Sequence, residues 1–316
     1  MPVTWLHVSD FHIRGGDPYD RDVVLGALVR SVREYRERGR VPDLIFATGD
    51  VAYSGKAHEY QRATEFFDAL LDAAGLDKRR LFVVPGNHDA DRDLGVGLAR
   101  TLSSREEADT YFGPGVPKMH LLQKQGAFLA WYKSYFTGVR TAPPDSTCGP
   151  VEAVDVAGIK LGILPVNSAL FCQDDHDHAK LWVGRRALDV ALAQLRELDA
   201  DLTVALLHHP LDWLHDEERA NIKANLRAQV DVVLRGHLHE NDVEAVVGIG
   251  GQPQEQLADD VVFPGAAGDV RVHRVGLSRI AAVKHHLRHD GRHSCRHHTQ
   301  NHRYTNRQPT HHLPSS

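Results

Sequence analysis

The 316-residue chain is 42% hydrophobic and 25% charged and carries a net charge of −5 at pH 7. This composition excludes a disordered or fibrous chain and allows a sizeable hydrophobic core, and the acidic balance argues against a broad nucleic-acid-binding face. The three cysteines, Cys148, Cys172 and Cys295, form no CxxC pair. Neither a disulfide framework nor a thiolate zinc site is therefore expected.

Short apolar runs, typical of strands buried in a covered sheet, recur along the chain. They lie at residues 3–8, 43–47, 81–84, 202–207 and 230–234, with further strands expected at 243–250 and 261–267. Amphipathic helices are predicted between them at residues 20–38, 57–74, 185–198 and 217–229. The alternation of strands and helices predicts parallel sheets covered by helices.

Two further stretches interrupt this alternation. Residues 90–150 combine helical patches with Gly/Pro-rich joints, which predicts a helical insertion rather than a long structureless loop. In residues 151–165 the hydrophobic period falls to two around Gly158. This pattern predicts a β-hairpin at the start of a second sheet.

The amino terminus lacks the cationic and apolar segments of a signal peptide, and no run approaches the roughly 18 apolar residues of a membrane span. We therefore expect a cytoplasmic protein without membrane association, and no pattern indicates an oligomeric state. Residues 284–316 hold nine His and six Lys or Arg against one Asp. They are interpreted as a disordered tail, with a metal-storing His tract or an aberrant terminus as alternatives.

Each of the first five strand-like runs ends in residues that can bind metal ions or transfer protons. The clusters are Ser9-Asp10-Phe11-His12, Thr48-Gly49-Asp50, Gly86-Asn87-His88-Asp89, His208-His209-Pro210 and Arg235-Gly236-His237-Leu238-His239. One such cluster alone would fit an ordinary polar turn. Because ligands bind outside the carboxyl ends of strands in open α/β sheets, we expect all five clusters to meet in one site.

In this order, the clusters resemble the signature of the calcineurin-like metallophosphoesterase superfamily. The matching elements are Asp10-x-His12, Gly49-Asp50, Gly86-Asn87-His88-Asp89, His208-x-Pro210 and Gly236-His237-x-His239. The resemblance extends over residues 3–267, and the segments around the first two motifs are similar to those of cyclic-nucleotide phosphodiesterases. It implies a four-layer α/β/β/α fold. Because the predicted site draws on residues 10 to 239 and apolar periodicity is lost from residue 284 onward, we expect a single domain of residues 1–283.

The resemblance also implies a centre of two divalent ions. Asp10, His12 and His239 would hold one ion, Asn87, His208 and His237 the other, and Asp50 would bridge them. Such mixed nitrogen and oxygen ligands suit Mn²⁺, Fe²⁺ or Zn²⁺ better than Ca²⁺. Two ions about 3.5–4 Å apart activate a water molecule and stabilise the charge that develops on a phosphoryl group.

The remaining predicted roles are proton transfer, substrate contact and support of the metal ligands. His88 would protonate the leaving group or stabilise the transition state, oriented by Asp89, and Asn87 would also contact substrate. Tyr53 is interpreted as substrate-facing or packed. A Tyr at this spacing ligates iron in purple acid phosphatases, but those enzymes lack the His of the Asp-x-His motif. Because the family pattern is His-x-Pro, His208 is the ligand, and His209 is assigned to phosphate contact or ligand support.

Together these observations predict a metal-dependent phosphodiesterase that attacks its substrate with a metal-bound hydroxide. The expected partner is a small phosphodiester such as a 3′,5′-cyclic nucleotide. One alternative is a nuclease of the same superfamily acting in defence or signalling, which a basic groove leading to the metals would favour. The other is a non-catalytic scaffold, which the presence of every ligand and of His88 disfavours.

Overall fold

The computed structural model describes residues 3–15, 19–98, 100–113, 116, 118–174, 176–237, 261–262 and 270–275. The strands are β1 Val3–Val8, β2 Leu44–Thr48, β3 Leu81–Val84, β4 Glu152–Val156, β5 Ile159–Pro165, β6 Leu202–Leu206, β7 Val232–Leu234, β8 Val261–Val262 and β9 Val270–Val275. The helices are α1 Tyr19–Glu37, α2 Ala57–Ala74, α3 Arg92–Leu98, α4 Arg105–Tyr111, α5 Met119–Leu122, α6 Gly126–Tyr135, α7 Arg185–Glu197 and α8 Asp216–Gln229.

The described strands form two sheets. In the first, the order is β3-β2-β1-β9-β8, with β1, β2 and β3 parallel and β9 antiparallel to β1. In the second, the order is β4-β5-β6-β7, with β5, β6 and β7 parallel and β4 antiparallel to β5. The parallel strands of each sheet carry the polar clusters at their carboxyl ends, where ligand sites of α/β proteins lie.

The first sheet is buried on both faces, which explains the continuous apolar sequences of its central strands. Every residue of β2 and β3 is buried. Leu6, Ile45 and Val83 share one apolar cluster with residues of α1, α2 and α6. Trp5 and Phe46 alternate with these residues along their strands and face the other way, with their ring centroids 5.8 Å apart. Strands covered on both sides need this composition.

Helices α7 and α8 cover the second sheet. α7 buries Leu188, Leu192 and Leu195 on one face, in a cluster that also contains Ala205 of β6 and Val233 of β7. Two sheets between two sets of helices make the four-layer α/β/β/α arrangement, so the predicted fold class is confirmed. None of the helices in the described part of the chain has the length and hydropathy needed to cross a membrane.

The helical insertion is also confirmed, since α3 to α6 all fall between β3 and β4. It is fastened to the first sheet's helices by α6, where the Trp131 ring stacks on Tyr60 of α2 at 5.4 Å. After α6, Arg140 ties the insertion to both sheets. Its guanidinium donates to the Leu81 carbonyl at 3.0 Å and pairs with Glu152 of β4.

The structure confirms the predicted hairpin and adds a strand, β9, that the sequence analysis did not predict. β4 and β5 pair antiparallel around Ala157 and Gly158, which both have positive φ, as the sequence predicts. Strand β9 was not predicted, yet it pairs with all six residues of β1. Its Val-Arg-Val-His-Arg-Val sequence alternates, but three basic residues make the apolar signal weak. The strand expected at 243–250 and the tail 284–316 lie outside the described residues.

Candidate metal centre

The loops after β1 and β2 run side by side and extend the pairing of the two strands. The main-chain N–H of Asp10 donates to the carbonyl of Gly49 at 3.1 Å, and that of His12 donates to the carbonyl of Asp50 at 2.9 Å. These hydrogen bonds fix the loop backbones relative to each other. They bring Asp10, His12 and Asp50 to the same end of the first sheet.

Four of the predicted ligands have left-handed backbone conformations. The φ angles are 59° at Asp10, 46° at His12, 52° at Asp50 and 79° at His237. Residues with a Cβ rarely adopt such angles, at a cost on the order of 1–3 kcal/mol each, although Asp and His tolerate them better than most. Backbone strain concentrated on polar residues at strand ends is typical of functional sites.

Two glycines let the loops approach closely. Gly49 has φ of 95°, and a Cβ added there would lie 2.5 Å from Nδ1 of His208. A Cβ on Gly86 would lie 2.2 Å from Oδ1 of Asp50 and 2.4 Å from its main-chain nitrogen. No side chain fits at either position without displacing a predicted ligand.

The donor atoms of the predicted ligands converge on Asp50 and Asn87. Oδ2 of Asp50 lies 3.3 Å from Nε2 of His208 and 3.8 Å from Nε2 of His12. Oδ1 of Asn87 lies 3.0 Å from Nε2 of His208 and 3.1 Å from Nδ1 of His237. Asp10 joins the group, because its Oδ2 accepts the main-chain N–H of His237 at 3.2 Å.

The tautomer of His208 follows from its other ring nitrogen. Nδ1 lies 2.7 Å from the carbonyl oxygen of Thr48, and a carbonyl only accepts, so Nδ1 carries the proton. In the neutral ring, the form that can bind a metal ion, the lone pair of Nε2 then points toward Asp50 and Asn87. A backbone carbonyl that orients an imidazole in this way is a common feature of metal ligation.

Burial couples the charges of this group strongly. Burial by itself raises the pKa of Asp50, but the imidazole of His208, together with His12 and His88, holds it well below its usual range. Burial likewise lowers the pKa of His208, and the Asp50 carboxylate outweighs this and raises it to about 9. The protein alone therefore favours an anion at Asp50, the position expected to lie between two cations.

The geometry and chemistry of these side chains fit two divalent ions. Among the described residues, donor atoms of Asp10, Asp50 and His208 lie within 4.8 Å of one another, as do those of His12, Asp50 and His88. Asp50 belongs to both groups, although the first group joins ligands assigned to different ions and the second includes His88, which is assigned a proton-transfer role. Imidazole nitrogens mixed with carboxylate oxygens suit first-row divalent ions. The seventh predicted ligand, His239, lies outside the described residues.

His88 stands beside these groups on the 3₁₀ turn Asn87–Asp89. Its main-chain N–H donates to Oδ1 of Asp50 at 2.8 Å, and its Nδ1 donates to the carbonyl of Tyr53 at 2.7 Å. The His88 ring centroid lies 4.4 Å from that of His12. With Nδ1 engaged, Nε2 is the nitrogen left to exchange a proton with a substrate.

The prediction that Asp89 orients His88 is wrong. Asp89 is fully buried and accepts hydrogen bonds from the main-chain N–H groups of Val51, Ala52 and Gly86 and from the Tyr60 hydroxyl. Successive residues of a 3₁₀ turn point about 120° apart, so Asp89 turns into the protein while His88 turns toward the cluster. Burial, and then Asp50, raises the pKa of Asp89 to about 6.

His209 does not occupy the predicted substrate-contact position. Its side chain is buried at 1% exposure, with Nδ1 2.9 Å from the Ser168 hydroxyl and Nε2 3.6 Å from Sγ of Cys172. Burial lowers its pKa well below the usual range, so the ring is neutral. The ring lies beside His208, with centroids 4.8 Å apart, and supports that ligand by packing.

Tyr53 lies at the rim of the cluster and is 41% exposed. Its ring centroid is 5.7 Å from that of His88 and 6.4 Å from that of His12. This position agrees with a substrate-facing side chain. Its main-chain carbonyl, which holds His88, is a contact that sequence reasoning missed, because no side-chain type encodes it.

Three other contacts were not predicted. The Thr48 carbonyl orients His208, the Ser9 hydroxyl donates to Oδ2 of Asp10 at 2.5 Å, and Arg14 lies over Tyr53 with 3.8 Å between its guanidinium carbon and the ring centroid. Ser9 could have been suspected from its place beside Asp10. Thr48 and Arg14 carry no comparable sequence signal.

Comparison with known proteins identifies the family of the chain. The family model for calcineurin-like phosphoesterases matches residues 3–241. The uncharacterized metallophosphoesterase-like protein YydB of Bacillus subtilis is 23% identical over 278 residues, which cover 83% of this chain and 54% of that protein. The chain thus spans about half the length of this curated relative.

Solved structures also resemble the chain, with low TM-scores. A hypothetical protein from Thermus thermophilus gives a TM-score of 0.37 at 19% identity, covering 84% of this chain and 74% of its own. The purple acid phosphatase PPD1 from yellow lupin gives 0.43 at 12% identity, covering 76% and 38%. Because the family model spans most of the sequence, the chain belongs to the calcineurin-like phosphoesterases, a family of phosphoester hydrolases that use a dinuclear metal centre.

Proposed function

We propose that the chain is a phosphodiesterase that uses two divalent ions, with 3′,5′-cyclic nucleotides as the candidate substrate class. The observation that carries the proposal is the convergence of donor atoms on Asp50, whose Oδ2 lies 3.3 Å from His208 and 3.8 Å from His12. In this proposal Asp10, His12 and His239 hold one ion and Asn87, His208 and His237 the other. Mn²⁺ and Fe²⁺ are the preferred candidates and Zn²⁺ the next.

The two ions would supply positive charge at the phosphoryl oxygens and an activated water at neutral pH. The protein contributes rigid positioning: Asp50 is held on Oδ1 by the N–H of His88, and His208 is held on Nδ1 by the Thr48 carbonyl. His88 presents Nε2 to the leaving-group oxygen and donates a proton to it. General acid catalysis of this kind contributes about 10²–10⁴-fold in rate.

A thiol mechanism is the other hydrolytic chemistry that the neighbourhood suggests, since Cys172 lies 3.6 Å from His209. Burial raises the pKa of Cys172 well above its usual range, and burial keeps His209 neutral. A thiolate nucleophile would need the opposite of both effects. This pair therefore supports packing, and hydrolysis by an activated water remains the proposal.

The choice of a small phosphodiester over a polynucleotide rests on the charges beside Asn87. A small pocket that includes Asn87 is lined by two carboxylates, Asp91 and Asp174, as well as by Arg92 and Lys124. Nucleic-acid backbones are bound by grooves of one sign of charge. The mixed lining, together with the acidic composition, disfavours the nuclease alternative.

The metal requirement is tested with full-length protein on bis(p-nitrophenyl) phosphate and 3′,5′-cyclic AMP. We expect hydrolysis to vanish with a chelator and to return with Mn²⁺. Single-stranded DNA and p-nitrophenyl phosphate serve as the competing substrate classes. Full activity after metal removal verified by elemental analysis would refute the proposal, and DNA as the preferred substrate would replace it with the nuclease.

The role of His88 is tested separately with His88→Ala. We expect about two ions per chain to remain and kcat to fall on the order of 10²–10⁴-fold with cyclic AMP. The loss should be smaller with bis(p-nitrophenyl) phosphate, because p-nitrophenolate needs little protonation. Loss of one ion, or equal losses with both substrates, would mean that His88 is a ligand or a phosphate-positioning group.

A further inference from the structure

Arg14 and Tyr53 form an exposed pair at the rim of the metal centre, here called the rim platform. The guanidinium carbon of Arg14 lies 3.8 Å from the Tyr53 ring centroid, a distance typical of a planar cation stacked on an aromatic face. The two residues leave the cluster from neighbouring loops. Arg14 follows His12 by two positions and Tyr53 follows Asp50 by three.

The main chain of the rim platform is fixed, while its side chains face solvent. Tyr53 donates its N–H to the carbonyl of Ile13 at 3.0 Å and accepts Nδ1–H of His88 on its own carbonyl. The carbonyl of Arg14 accepts a hydrogen bond from the Arg62 guanidinium of α2 at 3.0 Å. These hydrogen bonds fix the backbone positions from which the two side chains extend, which lowers the entropy cost of bringing them together at a ligand.

The polar groups of the rim platform are available to a ligand. Within the described part of the chain, the guanidinium of Arg14 has no carboxylate within ion-pair distance and the Tyr53 hydroxyl has no hydrogen-bond partner. Stacking also explains why Arg14 lies over the ring although no described carboxylate pairs with it.

We propose that the rim platform binds the nucleobase of the substrate by stacking, so that the metal centre acts on base-bearing phosphodiesters. Bases stack on aromatic side chains and on Arg guanidinium planes in the same way. The Tyr53 ring centroid lies 6.4 Å from that of His12 and 5.7 Å from that of His88. In a nucleotide, a single sugar ring separates the phosphoryl group from the base, so a phosphoryl group at the metal centre places the base near the rim platform. This inference rests on the proposed function and names the group that the substrate presents to the rim.

Trp213 is another aromatic side chain beside the centre, and it is less suited to this role. It is partly buried, and its ring is already surrounded by the rings of His178, His209 and His237 at centroid distances of 5.4, 5.6 and 4.1 Å. A base would have to displace a predicted metal ligand to stack there. Tyr53 offers an exposed ring without that conflict.

The test compares two ligands that differ only in the base. Binding of AMP and of ribose 5-phosphate to the full-length, Mn²⁺-loaded protein is measured by calorimetry. We expect AMP to bind about tenfold more tightly, as stacking on one aromatic group provides. Tyr53→Leu should reduce this preference to within about twofold and leave the affinity for ribose 5-phosphate unchanged. The substitution keeps the carbonyl that holds His88.

Arg14→Lys separates stacking from charge, since lysine keeps the cation and loses the plane. We expect this variant also to lose the base preference, whereas Tyr53→Phe should keep it. Tyr35 and Arg40 provide a matched control, because they form a similar pair with 5.7 Å between guanidinium carbon and ring centroid. Tyr35→Leu should behave as the wild type.

Two results would overturn the rim platform: equal binding of AMP and ribose 5-phosphate by the wild type, or a full base preference in Arg14→Lys. Failure of the proposed function is a separate result. Tenfold preference for AMP without phosphodiester hydrolysis would support the platform and refute the enzyme. Hydrolysis of phosphodiesters without base preference would refute the platform alone.

Discussion

The two sheets supply ligands to the same centre by different means. The first-sheet residues Asp10, His12 and Asp50 are fixed by hydrogen bonds among the loops of their own sheet. The second-sheet residues are fixed by contacts that reach across, from His208 to the Thr48 carbonyl and from the N–H of His237 to Asp10. The first sheet is thus a template, and the second sheet is positioned on it. Damage to the template should affect both ions, whereas loss of a single ligand from the second sheet should affect one.

The largest effect is expected from a single methyl group in the template. Gly86→Ala would place a Cβ 2.2 Å from Oδ1 of Asp50 and 2.4 Å from its nitrogen, so the proposed bridging carboxylate must move. We expect loss of both ions and of activity on bis(p-nitrophenyl) phosphate. Gly126→Ala is the matched control, because a Cβ there meets nothing within 4 Å. A fully metallated Gly86→Ala protein would contradict the template.

Metal stoichiometry sharpens the same comparison. Asp50→Ala removes the anion shared by both ions, so we expect close to zero ions per chain. His208→Ala removes one ligand of one ion and leaves the first-sheet loops intact, so about one ion per chain should remain. Elemental analysis after dialysis measures both, with Asp155→Ala on the exposed part of β4 as the control. Equal losses in the two variants would mean that the sheets contribute symmetrically.

The link between the sheets can be weakened away from the centre. Arg140 is nearly buried, donates to the Leu81 and Arg79 carbonyls at 3.0 and 2.7 Å and pairs with Glu152. Arg140→Met leaves a partly buried carboxylate without its partner, which should lower the free energy of unfolding by about 3–5 kcal/mol.

The control for Arg140 is Arg80→Met. Arg80 also joins the two sheets, through a 2.9 Å hydrogen bond to the Asp155 carbonyl, but at an exposed position. It should cost under about 1 kcal/mol, as exposed polar contacts do. Denaturant unfolding measures both variants. Similar losses in the two would show that burial of Arg140 is not the source of its effect.

The smallest effect concerns the second sheet's own helices. Glu218 of α8 is buried and accepts the N–H groups of Val183 and Gly184, at 2.6 and 3.0 Å, just before α7. Burial outweighs these hydrogen bonds and raises its pKa from 4.5 to about 7. The folded protein then holds a proton that the unfolded chain releases between pH 4.5 and 7. Its contribution to stability is present below about pH 4.5 and is lost by about pH 7.

We expect the unfolding free energy to fall by about 1–3 kcal/mol over this window because of Glu218. Glu218→Gln should lower stability at every pH, since its amide would face a main-chain donor, but it should flatten this part of the profile. A wild-type profile that rises by the same amount between pH 4.5 and 7, and an unchanged slope in the variant, would contradict the assignment.

The sequence predicted the elements of the centre better than it predicted their supports. Asp10, His12, Asp50, Asn87 and His208 end buried strands, so strand order alone brings them together. The prediction that Asp89 orients His88 failed because neighbouring residues of a 3₁₀ turn point their side chains in different directions. The true support of His88 is a main-chain carbonyl, and every residue has one, so no motif marks it.

Strand β9 and His209 illustrate two other limits. β9 is held by its pairing with β1 along six residues, a long-range contact that overrides its weak apolar pattern. His208 and His209 are equivalent in composition, and they differ only in which side of the strand end they occupy. One faces Asp50 and the other faces Ser168, a distinction set by tertiary packing.

The left-handed conformations at Asp10, His12, Asp50 and His237 also restrict how this centre could change over evolution. Only Gly, Asn, Asp and, to a lesser degree, His enter that region readily. A change from Asp to Glu keeps the carboxylate but adds backbone strain, whereas a change to Asn keeps the conformation and loses the charge. Metal ligation and the left-handed backbone conformation thus favour the same few residue types. Almost any substitution at these four positions is therefore expected to change either the ligand atoms or the backbone strain.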